Sequence, residues 1–366
     1  MTLKEKIGQL FMMGFAGRAP SKAILRLIRE FHIGGVILFE RNLESPAQAA
    51  KLRNALQAPS QKMPLMIAID QEGGRVSRLP KGFTVFPGSA QLAAGRSTEQ
   101  IYRAAEITAK ELRAVGINMN LAPVLDVNTN PENPVIGDRA FGASPALVCT
   151  MGLAVIAGLQ DNHVIACGKH FPGHGDTSAD SHKELPVVPH DLQRLREIEL
   201  RPFAHAIQNG LASIMTAHVR YPALDPGEPA TLSRRILTDL LRAKMGFRGV
   251  VITDDLEMKA IADSYGLGEA AVKAIEAGCD LVLICRNEEG QLLALDAVAQ
   301  AVKEGRITEA RIDQSILRIL QVKEKFILPY KPADLADVKQ VVGCPAHREF
   351  LKELKEKATA PAGRTA

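Results

Sequence analysis

The chain has no tryptophan, and aromatic residues make up only 4% of its 366 positions. A broad stacking surface for sugars is therefore disfavoured, although a pocket can hold a sugar by hydrogen bonds alone. Cysteine is also scarce. Cys149, Cys167, Cys279, Cys285 and Cys344 are odd in number and form no C-x-x-C pair. This argues against a disulfide framework and suggests buried free thiols in a reducing compartment, so the expected location is the cytoplasm. No apolar run approaches the ~20 residues of a membrane span. The opening MTLKEK–IGQLFMMGFAG imitates a charged and apolar leader, but Gln9 and two glycines interrupt it. It reads instead as a first buried strand. The net charge of +4 comes without a basic run, so neither nucleic acid nor membrane is an expected partner, and a monomer is expected.

What the chain does have is alternation. Short apolar runs at 7–15, 34–39, 65–70, 117–127, 163–171, 212–219, 249–255 and 280–285 are rich in Val and Ile and mostly lack period-2 alternation. Strands buried on both faces look like this. Helical segments with clear ends lie between them. Ser97 and Gln100 can form a capping box before a helix that stops at Gly116. Helices over 191–210, 233–246 and 268–278 each end on a glycine. Repeated βα units imply a parallel sheet, and eight runs favour a closed (β/α)8 barrel of TIM type as a single α/β domain. The expected organisation is a barrel over 1–335, a helical extension over 336–357 and a disordered tail over 358–366.

In such barrels the active site lies at the C-terminal ends of the strands. Those ends carry Asp70, Asp126 followed by Arg139, Lys169 with His170, His218, and Asp254 with Asp255. Each also has an ordinary structural reading. Asp70 can cap the next turn, Asp126 can form an Asx-turn, Arg139 can pair with Asp138, and His218 can be a satisfied core histidine. Only one residue of Asp254 and Asp255 is needed to cap the following helix, which leaves the other for the pocket.

The densest stretch is KHFPGHGDTSADSH, residues 169–182. His170, His174, Asp176, Asp180 and His182 could ligate a metal, but Pro172 and Gly173 forbid the helix that a four-residue His spacing requires. Asp180 and His182 stand at i and i+2. In extended chain they share a face, so the carboxylate can orient the imidazole for proton transfer. Gly173, Gly175 and the small residues 177–179 suggest a mobile hinge beneath that dyad. A solvated loop without chemistry remains the third reading.

Together, KHFPGHGDTSADSHKELP, GQLFMMGF, AIDQEGGRVSRL, NLAPVLDVN, NPVIGDRAFG, MTAHVRYP and GVVITDDLEMKAI resemble glycoside hydrolase family 3, and more narrowly its NagZ-type β-N-acetylglucosaminidases. The resemblance runs in order from about residue 5 to 330. It implies a single-domain barrel without the C-terminal α/β sandwich domain of larger members, and no cofactor. It implies Asp254 as nucleophile and His182 as general acid/base oriented by Asp180, with Asp70, Arg78, Arg139, Lys169 and His170 holding the sugar. Asp126, His174, Asp176 and His218 would shape the surroundings. The implied activity is removal of terminal N-acetylglucosamine from small peptidoglycan fragments. Alternatives are phosphorolysis, since a histidine tolerates incoming phosphate where a carboxylate repels it, a metal-dependent barrel hydrolase, and a silent sugar-binding protein.

Overall fold

The computed structural model describes residues 1–60, 63–181 and 184–359. The apolar runs become eight parallel strands: β1 Phe11–Met13, β2 Gly35–Leu38, β3 Met66–Ile69, β4 Met119–Asn120, β5 Ile165–Phe171, β6 Ser213–Thr216, β7 Val250–Asp255 and β8 Leu281–Ile284. They pair in chain order into a closed barrel. Closure is made by β1 on β8, with Met12 opposite Leu283. Nearly every strand residue is buried, because helices cover the outside and side chains fill the inside. This explains why the runs are continuous in hydrophobicity rather than alternating.

Three expectations are corrected. Residues 7–15 are not one strand. A helix Leu3–Gln9 comes first, started by a capping box in which Thr2 and Glu5 satisfy each other's backbone N–H. Gly8 in that helix lies so close to Phe31 that a Cβ would stand 1.7 Å from its carbonyl oxygen. The run 117–127 yields only a two-residue strand, since Pro123 has no N–H to give the ladder. The chain rejoins the sheet just beyond, where the Leu125 N–H donates to the Lys169 carbonyl at 2.6 Å. The segment 191–210 is two helices, Leu192–Glu197 and Arg201–Gln208, with Pro202 in the first turn of the second. By contrast the Ser97 capping box forms as expected, and Gly116 ends its helix at φ 80°.

The chain closes with helices Glu288–Lys303, Glu309–Phe326, Leu335–Val341 and Pro345–Thr359. Residues 360–366, the greater part of the expected tail, lie outside the described residues. Among the described residues no helix is long and apolar enough to cross a membrane. The five cysteines are unpaired, and burial pushes the Cys167 thiol up to about 12.

Candidate active site

A cavity of about 430 Å³ opens at the C-terminal ends of the strands, within the ~300–1,000 Å³ range of small-ligand sites. Strand β5, seven residues long and wholly buried, carries its most polar elements. Lys169 points into the cavity with its Nζ 2.8 Å from Asp70 Oδ1 and 2.6 Å from Glu72 Oε1. Arg139 grips the same Glu72 carboxylate in a fork, Nε to Oε2 at 2.9 Å and Nη2 to Oε1 at 2.8 Å. Two cations and two anions thus alternate along one wall. Burial works against the Glu72 charge, but Lys169 and Arg139 outweigh it and hold the carboxyl far below its ordinary range. Burial likewise opposes the Lys169 charge, and Asp70 and Glu72 overcome it, so the ammonium stays protonated.

His170 is set by Asp126. Its Nδ1 lies 2.7 Å from Asp126 Oδ2, and its backbone N–H donates to Oδ1 at 3.0 Å. The His174 N–H reaches the same Oδ1 at 2.7 Å. One buried carboxylate therefore fixes both the end of β5 and the turn after it. The bond to Asp126 turns His170 Nε2 toward Arg139 Nη2, 3.5 Å away. Strand β7 ends in Asp254 and Asp255, both lining the same cavity. Burial opposes ionisation of Asp254, yet His170, His218, the Asp255 N–H and Lys169 lower its pKa below the ordinary value. Asp255 behaves oppositely. Burial and then the Glu257 and Asp254 charges push its carboxyl up to about 7. Its Oδ1 accepts the Glu257 N–H at 3.2 Å and the Cys285 N–H at 3.3 Å. Adjacent carboxyls thus shift in opposite directions, because Lys169 and two histidines act on Asp254 while the Glu257 charge acts on Asp255.

Asp70, Arg78, Arg139, Lys169, His170, Asp180 and Asp254 all line this cavity. His182 lies outside the described residues. Arg78 Nε is buried and has no hydrogen-bond partner among the described residues. His218 does not line the cavity: it is buried, 2.8 Å from Thr231 Oγ1 and 3.0 Å from the Asp255 carbonyl. The ordinary reading of Arg139 is corrected, since Asp138 pairs with Arg75 instead, at 2.6 Å. Sequence reasoning missed Glu72, the anion shared by Lys169 and Arg139. The signal was present, because Asp70 and Glu72 are two residues apart and share a face in extended chain.

The glycines of the segment 172–179 sit close against their neighbours. A Cβ on Gly175 would stand 1.9 Å from the Val127 carbonyl oxygen, and one on Gly173 would stand 2.9 Å from Glu199 Cβ. These glycines permit close packing. The turn is braced internally: His174 Nδ1 lies 2.8 Å from Thr177 Oγ1 and Nε2 lies 3.1 Å from Ser181 Oγ. Burial, then the neighbouring His170 charge, lowers His174 to about 4, so it is a neutral hydrogen-bonding group here. Asp176 bonds Thr129 at 2.7 Å and also His190. Among the described residues no group of three or more His, Cys, Asp or Glu side chains is arranged to hold a metal ion.

Comparison with known proteins agrees with this geometry. Residues 2–322 match the glycosyl hydrolase family 3 N-terminal domain. A β-hexosaminidase of Nitrosomonas eutropha is 40% identical over 80% of this chain and 86% of its own length. β-Hexosaminidase A of Pseudoalteromonas piscicida is 37% identical over 97% of this chain, which spans only 66% of that protein. Among solved structures, a family 3 β-N-acetylglucosaminidase from Paenibacillus sp. superposes with a TM-score of 0.95 at 48% identity, covering 98% of this chain and 69% of the other. With a closed parallel barrel, a charged cavity at its C-terminal rim and relatives of this kind, the chain belongs to glycosyl hydrolase family 3.

Proposed function

We propose that the chain is a retaining exo-β-N-acetylglucosaminidase that removes terminal N-acetylglucosamine from peptidoglycan-derived anhydro-muropeptides, acting as a cytoplasmic monomer. The observation that carries this reading is the placement of Asp254 in one cavity with the Arg139–Glu72–Lys169–Asp70 chain, its carboxyl held below the ordinary value by His170, His218 and Lys169. The names of the relatives support the sugar, and the small aromatic content suits recognition by hydrogen bonds.

In this reading Lys169 spends two of its three N–H donors on Asp70 and Glu72 and keeps one for a sugar hydroxyl. Asp70 accepts from a neighbouring hydroxyl, and the unpartnered Arg78 Nε finds an oxygen of the substrate. Glu72 lies between the two cations and offsets their mutual repulsion. Asp254 then attacks the anomeric carbon as the bond to the aglycone oxygen breaks and His182, oriented by Asp180, gives that oxygen a proton. The glycosyl ester is released in a second step. His182 takes a proton from water, the hydroxide attacks the same carbon from the face the aglycone left, and Asp254 departs as carboxylate. Two inversions give retention. A histidine suits this double duty because its reference pKa of ~6.5 lies near the working pH.

The test is a slow 5-fluoro N-acetylglucosaminyl donor followed by peptide mass spectrometry. A glycosyl ester on Asp254, with an Asp254→Ala variant that folds but loses ~10³-fold or more in kcat, is the expected outcome. A label elsewhere, an Asp254 variant of near-normal rate, or sugar 1-phosphate as main product when phosphate is added would each overturn the assignment.

A further inference from the structure

The connection between β3 and the helix Thr98–Ala114 is long, and it carries Glu72, Arg75 and Arg78 along its inner side, against the cavity. Its outer side is held by the end of the chain. Glu111, on that helix and fully buried, receives the Thr84 N–H and the Thr84 hydroxyl, each at 2.7 Å. The same carboxylate receives the Gly343 N–H at 2.9 Å and lies 2.8 Å from His347 Nδ1. Gly343 sits so flat on the connection that a Cβ there would stand 2.1 Å from the Gly82 carbonyl oxygen. Farther along, Phe350 packs edge-on against Phe86 with ring centroids 6.1 Å apart, and Arg96 donates to the Leu354 carbonyl at 2.6 Å.

These contacts form a clamp. One buried carboxylate ties a cavity-bearing connection to a segment distant in sequence, with four contacts on its two oxygens. A connection this long has little secondary structure of its own, so its position depends on what it packs against. We propose that Glu111, His347 and Phe350 are positioning residues, through which the helix Pro345–Thr359 sets the β3 connection and thereby the placement of Glu72 and Arg78 in the cavity.

The inference rests on the reading that this wall holds the sugar, so the experiment separates the two. His347→Ala and Phe350→Ala are made with His347→Asn, whose side-chain amide can replace the Nδ1 donor. Hydrogen–deuterium exchange and kinetics on an aryl N-acetyl-β-glucosaminide are read together. The alanine variants are expected to speed amide exchange in residues 71–88 and leave the barrel strands unchanged. They are expected to raise KM about 10-fold with a smaller change in kcat, since a displaced binding group loses its alignment. His347→Asn restores both. Unchanged exchange at 71–88 would overturn the proposal, as would a lower Tm with unchanged KM, the mark of a merely structural contact. Arg78→Ala serves as the control for the wall: if it leaves KM unchanged, the sugar reading fails, and the clamp is then judged by exchange alone.

Discussion

At the residue scale, the lesson lies in neighbours with unlike environments. Asp254 and Asp255 are consecutive, yet only the first faces His170 and Lys169, and it stays ionised. Asp255 instead faces Glu257, and burial lifts it to about 7. Because its folded pKa is raised, the folded state binds more protons than the unfolded chain between about pH 4 and 7. Stability is therefore lost as the pH rises through that window and levels off above it. Asp255→Asn removes this dependence. Its unfolding free energy is expected to gain on the parent's from pH 4 to 7, by up to about 1 kcal/mol per pH unit, read as a rising Tm difference. A Tm difference flat in pH would show that Asp255 is ionised throughout. Asp180 and Asp254 were legible as cavity residues because their motifs are specific. Glu72 was not, since its importance comes from two partners, Lys169 at 2.6 Å and Arg139 at 2.8 Å, that are far away in sequence.

At the element scale, glycines with the same apparent role in sequence do different work. Gly210 ends the helix Arg201–Gln208 at φ 78° with open space around its missing Cβ. Gly210→Ala is expected to cost only about 1 kcal/mol, the strain of a left-handed residue. Gly175 has no positive φ, but a Cβ there would collide with the backbone oxygen of Val127 at 1.9 Å. Gly175→Ala must displace either residues 172–181 or the loop after β4. It should lower activity sharply and cost several kcal/mol, because overpacking cannot be relieved by a side-chain rotation. Chemical denaturation with activity assays on both variants checks the contrast. Helix ends such as Ser97 and Gly116 were readable because capping is local. The break at Pro202 and the shortened β4 were obscured by apolar runs that looked continuous.

At the scale of the whole molecule, closure of the barrel brings together the two ends of its chain. Lys323, in the helix Glu309–Phe326, is fully buried and gives its ammonium to Gln9 Oε1 at 2.6 Å. Gln9 in turn donates to the His32 carbonyl at 2.6 Å. With no carboxylate bonded to it among the described residues, burial pulls Lys323 down to about 7. Here the unfolded chain binds more protons between about pH 7 and 10.4, so the folded state gains stability as pH rises through that range. A Lys323→Met variant lacks this gain. The parent's Tm is expected to improve relative to it from pH 7 to 10, and a constant difference would sink the argument.

What the sequence determined by itself was whatever depends on short range. Eight buried runs and glycine-stopped helices implied a parallel sheet and favoured a closed α/β barrel, since period and capping act within a few residues. The dense motif 169–182 and the TDD string pointed to the chemistry. Only the tertiary structure decided which charges face each other. The opposite pKa shifts of Asp254 and Asp255, the sharing of Glu72 between two cations, and the contacts of residues 343–354 with the β3 connection all depend on distances between segments far apart in the chain. Coulomb energy and packing follow separation in space, which a linear order of residues does not contain.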